Sequence, residues 1–196
     1  MTVGVVLLGG TDLARYFEEL PEIAERAASL AINQVAERDG MTLIRRDMRE
    51  QIDFPPRYLE DGRLRVKRKA SPSNLQAVIS GRDRPTSLAR FAAGQNPENT
   101  RGRGVRLTVK RGKRVLLSKG FLVKLKGGNT GLAVRLKKGE KLANSQGAQR
   151  LADNLYLLYG PSVDQVFRGV ADDRTDDLGR MVTNQFLRQF ARLSRG

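Results

Sequence analysis

The chain contains no cysteine, no histidine and no tryptophan among its 196 residues. Without cysteine there are no disulfides, no thiolate nucleophile and no thiolate metal site, which fits a reducing cytoplasm. Without histidine the usual general base near neutral pH and the commonest transition-metal ligand are missing. Ser-His-Asp and Cys-His chemistry are thereby excluded. Aromatic residues are also sparse, at 6%, so a core must come from Leu, Val, Ile and Ala. No apolar run approaches the roughly 20 residues that a membrane span needs. The apolar start, residues 1–10, lacks a basic flank and reads as a short strand or an arm packing on a neighbour rather than a signal peptide.

What the chain has in excess is positive charge, with 36 Lys/Arg against 21 Asp/Glu, a formal +15. Residues 63–141 hold 22 of the basic residues and only three acidic ones, Asp83, Glu98 and Glu140, for a net of +19. The remainder carries 14 basic and 18 acidic residues, a net of −4. A segment so biased points to a polyanionic or acidic partner: nucleic acid, an acidic protein surface or an anionic membrane.

Hydrophobic periodicity predicts an α+β fold. Thr11 and Asp12 are candidate caps for a first helix carrying Leu13, Phe17 and Leu20. Ile23, Ala27, Leu30, Ala31 and Val35 form a stripe that ends near Gly40, which suits a helix C-terminus. Thr42 then opens a stretch with Ile44, Met48 and Ile52 four apart, closed by Pro55 and Pro56. From Arg63 the period shortens to two. Leu64 and Val66 alternate with Arg63, Arg65 and Lys67; Val105, Leu107 and Val109 with Arg106 and Lys110. Arg111 and Gly112 suggest a hairpin turn into Val115 and Leu117. Phe121, Val123 and Leu125 alternate with Lys124 and Lys126, and Val134 and Leu136 with Arg135 and Lys137. Residues 75–80 predict another strand. The expectation is a single domain over 1–196: an antiparallel sheet with one basic face, and N- and C-terminal helices packed on its apolar face. Residues 87–104 read as a long mobile loop and 138–152 as a second one. Leu178, Val182, Phe186, Phe190 and Leu193 mark the final helix, with Asp172, Asp173, Asp176 and Asp177 at its start.

Candidate sites follow from charge. Arg63, Arg65, Lys67, Arg101, Arg103, Arg106, Lys110, Arg111, Lys113, Arg114, Lys124, Lys126, Arg135 and Lys137 make the candidate polyanion- or partner-binding surface. Few aromatics interleave with them, so backbone electrostatics is favoured over base stacking. Arg101-Gly102-Arg103-Gly104 is too short to be a diagnostic RG tract. Gly112-Lys113 is not a phosphate loop, because Leu107 stands where the first Gly belongs and Arg114 where Ser or Thr belongs. The four aspartates lack the spacing and central Gly of a calcium loop. No catalytic residue, metal site or cofactor site can be named, and the chain reads as non-enzymatic.

The element Gly160-Pro161-Ser162-Val163 before a C-terminal helix resembles the minor tail protein Z, or tail completion, family of long-tailed bacteriophages. The Ala-rich helix with Ala28, Leu30, Ala31 and Asn33, the basic strand 65–70, the hairpin at Gly112 and the strand near Val134 follow in the same order. The chain departs from the family pattern at residues 138–143, which lack a proline. The resemblance implies a virion structural protein made in the bacterial host cytoplasm. It would sit in the tail or neck as a head–tail connector and take part in virion assembly. It also implies a homo-oligomeric ring, expected to be a hexamer, around double-stranded DNA. Its neighbours would be tail terminator, tail tube and head-side connector proteins, and no membrane. The alternative is a cellular protein binding nucleic acid without sequence specificity.

Overall fold

The computed structural model describes residues 3–5, 11–137, 139–142 and 147–195. The fold is α+β with antiparallel strands, as the periodicity predicts. The chain divides into two compact units. The first comprises Met1–Met48, Glu60–Arg82 and Asp164–Gly196; the second comprises Arg49–Leu59 and Asp83–Val163. Among the described residues the strands fall into three sheets rather than the single one expected.

The first unit is built on an alanine stripe. Helices α1 (Thr11–Glu19) and α2 (Pro21–Gln34) are separated by Leu20, and Pro21 serves as the first residue of α2, where its missing N–H costs nothing. Ala24, Ala27, Ala28 and Ala31 are fully buried. Small side chains there let the last helix, α6 (Thr175–Leu193), approach closely, and its Phe186 packs into the stripe. Tyr16, Phe17 and Phe190 surround that ring, each at a centroid distance of 5.8 Å, and Tyr16 and Phe190 meet each other at 4.6 Å. Four of the few aromatics are thus spent on one contact. Burying Phe186 is worth about 2–3 kcal/mol.

Helix α2 does not end at Gly40. A π-helical turn, Val35–Asp39, leads directly into α3 (Gly40–Gln51), and Gly40 has helical angles. A Cβ on Gly40 would lie 2.8 Å from both Leu178 Cδ2 and the Val35 carbonyl oxygen. The glycine is there because α6 crosses the helix at this point, not to stop it, and Thr42 lies inside the helix rather than capping one. The same unit holds the sheet β1 (Val3–Val5), β3 (Ala77–Gly81) and β2 (Leu64–Arg68), with β3 in the centre. Of the expected arm 1–10, residues 3–5 are this edge strand, and the others lie outside the described residues. The Asn33 amide donates to the Ala70 carbonyl and accepts from the Ala70 N–H, so a helix side chain holds the end of the β2 segment.

The second unit contains the sheet β4 (Thr86–Ser87), β10 (Leu155–Gly160), β8 (Thr130–Arg135), β7 (Gly120–Lys124), with β9 (Ala148–Ala152) also on β10. A separate hairpin pairs β5 (Val105–Thr108) with β6 (Arg114–Leu117). Residues 87–104 are not a plain loop. They hold a 3-10 turn, Leu88–Phe91, and a one-turn helix α4, Pro97–Thr100. Polar residues that suggest a loop by composition here substitute for backbone partners. Asn96 Oδ1 accepts from the N–H groups of Glu98 and Asn99, and Asn99 Oδ1 accepts from the Asn96 N–H. The Gln95 amide donates to the Arg106 carbonyl and accepts from its N–H, as a neighbouring strand would. The second expected loop, 138–152, contains β9; residues 138 and 143–146 lie outside the described set.

Helix α5 (Val163–Asp173) precedes α6. Asp172 and Asp173 therefore close α5, and only Asp176 and Asp177 occupy the first turn of α6. The expectation that all four open one helix is corrected by this break at Arg174. Among the described residues no helix is long and apolar enough to cross a membrane.

Candidate polyanion-binding surface

The charge is divided between the units as unevenly as along the sequence. The second unit carries 19 Lys/Arg against six Asp/Glu, a net of +13, and the first 17 against 15, a net of +2. The structure places most of the basic residues of the second unit at strand ends and turns, not on one sheet face. Strand β8 is the reason. It lies between β7 and β10, and Gly131 to Val134 are buried on both faces, leaving only Thr130 and Arg135 exposed at its ends. The apolar-basic alternation continues past the strand into its flanks, so a basic sheet face does not form there.

The densest group is the β5–β6 hairpin. Its register pairs Arg106 with Leu116 and Thr108 with Arg114, which puts Arg106 and Arg114 on one face, while Val105 and Leu107 turn into the core. Lys110, Arg111, Gly112 and Lys113 make the turn, closed by a hydrogen bond from the Lys113 N–H to the Lys110 carbonyl (3.0 Å). Gly112 has φ +76, the left-handed conformation that favours glycine. The hairpin tip is held: the Asp53 N–H donates to the Val109 carbonyl at 2.8 Å, and the Arg111 N–H to the Gln51 carbonyl at 3.4 Å. Leu116, on the same face as Arg106 and Arg114, is 55% exposed, and Val115, on the opposite face across from Leu107, is 49% exposed.

The other predicted residues of this unit lie in three places. Arg101 and Arg103 are exposed in the turn after α4, where Gly102 and Gly104 have positive φ. Lys124 and Lys126 border the β7–β8 turn. Arg135 and Lys137 leave the opposite end of β8, since Gly120 pairs with Val134 there and Lys124 with Thr130 at the other end. At the Lys137 end, Glu140 takes a hydrogen bond from the Lys119 ammonium and another from the Lys137 N–H (2.9 Å). These two donors, in that order, hold its carboxyl below the usual glutamate range.

In the first unit Arg63, Arg65 and Lys67 belong to β2 and its approach. Arg63 is only 20% exposed and pairs with Asp61 at 2.9 Å. Lys67 sits at a register shift between Val66 and Arg68, so the expected alternation breaks there. Arg68 donates to Gln76, and Lys69 pairs with Glu37. Arg82 was not among the residues singled out from the sequence. It faces Arg63 across the ladder, a pairing legible only once strands 64–68 and 77–81 are in register.

None of the four tyrosines and seven phenylalanines is exposed. Phe54, Tyr58 and Phe91 are core residues of the second unit, and Phe121 is half-buried. The surface can therefore meet phosphates or carboxylates, but it offers no platform on which bases could stack. No group of three or more potential metal-ligating side chains occurs among the described residues.

The element Gly160-Pro161-Ser162-Val163 is the joint between β10 and α5. Ser162 and Val163 are buried, and a Cβ on Gly160 would lie 3.0 Å from Leu88 Cδ2. Packing alone accounts for small and rigid residues at such a turn. Comparison of the chain with models of known protein families, with curated proteins and with solved structures finds no match.

Proposed function

We propose that this chain is a non-enzymatic structural protein of the phage head–tail junction. In this reading it is a tail completion subunit that assembles with copies of itself around the DNA path and joins the tail to the head. The observation that carries the reading is the net +13 of the second unit, densest on the β5–β6 hairpin. Such a surface suits a polyanion read through its charge, and double-stranded DNA in a lumen is one. Leu116, exposed beside Arg106 and Arg114, suits a contact that forms on assembly. The resemblance carried by Gly160, Pro161, Ser162 and Val163 and by the order of elements gives the reading its biological setting.

The test is the oligomeric state of the purified chain, by size exclusion with light scattering, alone and with isolated phage tails and neck proteins. The expected result is a closed ring, or a ring that forms on tail ends. A chain that stays monomeric, ignores tails and binds naked DNA with steep salt dependence would overturn the junction reading. It would instead favour a cellular nucleic-acid-binding protein.

A further inference from the structure

Three arginines meet at one end of the β2–β3 ladder in the first unit. Arg65 pairs with Ser80 in the register, and the next step outward is the hydrogen bond from the Arg82 N–H to the Arg63 carbonyl, 2.7 Å. Residues two apart on a strand share a face. Arg63 and Arg65 on one side, and Ser80 and Arg82 on the other, therefore project together, and they line an open depression of ≈ 370 Å³. Asp61, Gly62 and Gly81 complete the lining.

Like charges set directly across a ladder are destabilising. Only one carboxylate, Asp61, lies in this lining, and it is engaged with Arg63. Arg65 and Arg82 have no carboxylate partner among the described residues. A surface that served only solubility would mix signs here, as this unit does overall with its 17 basic and 15 acidic residues.

We propose that Arg65 and Arg82, ordered by the Arg63–Asp61 pair, form a discrete phosphate-binding site. Guanidinium forks match phosphate oxygens in geometry. A free phosphate dianion balances the charges of Arg65 and Arg82, a backbone phosphodiester balances one of them, and the Ser80 hydroxyl stands beside Arg65 as a neutral donor. The ligand is a phosphate group, either free or in a nucleic-acid backbone, where one negative charge falls on each phosphate. The site is separate from the hairpin cations and does not depend on the head–tail reading.

The experiment follows the Nε–H signals of Arg65 and Arg82 by NMR in the full chain, at constant ionic strength. One arm adds inorganic phosphate and the other a short DNA duplex, with chloride as the reference. Saturable shifts with phosphate assign a free phosphate group; saturable shifts with DNA alone assign a backbone phosphate. In R82Q, with its fold checked by circular dichroism, the Arg65 signal titrates at least about tenfold more weakly. Signals that move with neither ligand, or move equally with chloride, overturn the proposal, as does an unchanged affinity in R82Q. DNA binding that leaves both signals still would overturn this site while leaving the hairpin surface intact.

Discussion

Arg174 Nε lies 2.6 Å from the Asp47 carboxylate, whose side chain is only 9% exposed, and the two residues stand 127 positions apart. Arg174 is the residue between α5 and α6, and it also reaches Asp177 at 2.9 Å. One guanidinium therefore fastens the start of α6 to α3 inside the first unit. A carboxylate taken out of water needs such a partner, because burial without one is costly. Replacing Arg174 by Gln lowers the melting temperature. In the double variant with Asp47→Asn the loss is smaller than the sum of the single losses, as measured by a thermal double-mutant cycle. Strict additivity would show that the pair does not couple.

Two of the helical glycines, Gly40 and Gly169, respond oppositely to alanine. Gly40 faces Leu178 and the Val35 carbonyl at 2.8 Å, so a Cβ forces a backbone or side-chain shift. The overpacking costs about 1–3 kcal/mol, which exceeds the roughly 1 kcal/mol that alanine gains in helix propensity. Gly169 in α5 has open space around it, and Gly169→Ala stabilises by about 0.5–1 kcal/mol. Urea denaturation of the two variants measures both signs.

Thr100 is 1% exposed; its hydroxyl donates to the Asn96 carbonyl and accepts from the Leu122 N–H. Thr100→Val keeps the shape and strands both groups, at a cost of about 1–3 kcal/mol. Asn96→Ala removes the cap of α4 and costs about 1 kcal/mol. Hydrogen exchange in both variants is expected to show residues 96–104 opening ahead of the rest of the second unit.

Asp177 is held below the ordinary aspartate range, first by its hydrogen bond from Arg180 and then by that from Arg174. A depressed folded-state pKa stabilises the fold above the unfolded value. That contribution disappears as pH falls through the folded value. The same sign applies to Glu140. Carboxyl NMR titration is expected to place both midpoints below those of free side chains. Molar salt should move them back up, because these pairs face solvent.

The hairpin cations can be tested as a group. If Arg106, Arg111, Lys113 and Arg114 touch DNA phosphates, replacing all four by Gln reduces the slope of log affinity against log salt by about 3.6, at ~0.9 per contact. Binding isotherms between low and moderate salt measure it. An unchanged slope would place the DNA contact elsewhere, or leave an acidic protein as the partner of the hairpin.

Much of the architecture is written in local pattern. The helix over Ile23 to Val35, the stop before Pro55 and the face from Leu178 to Leu193 are read correctly, because a 3.6-residue period needs only neighbours to be visible; of the expected stripe only Leu30 faces outward. The β5–β6 hairpin around Gly112 is read for the same reason. The end assigned at Gly40 fails because a glycine that admits a crossing helix looks the same as one that ends a helix. Residues 95–100 look like a loop because their amides and hydroxyls imitate backbone partners, and composition does not record what a side chain bonds to.

The sequence by itself determined the sign and placement of the charge, the absence of thiol and imidazole chemistry, and the α+β class. These are properties of composition and short-range period. The tertiary structure alone decided that β8 would be buried on both faces, that Asp172 and Asp173 would close one helix while Asp176 and Asp177 open the next, and that Arg82 would stand across from Arg63. Each depends on which distant segments pair, and that is settled by the packing free energy of the whole unit rather than by any local preference.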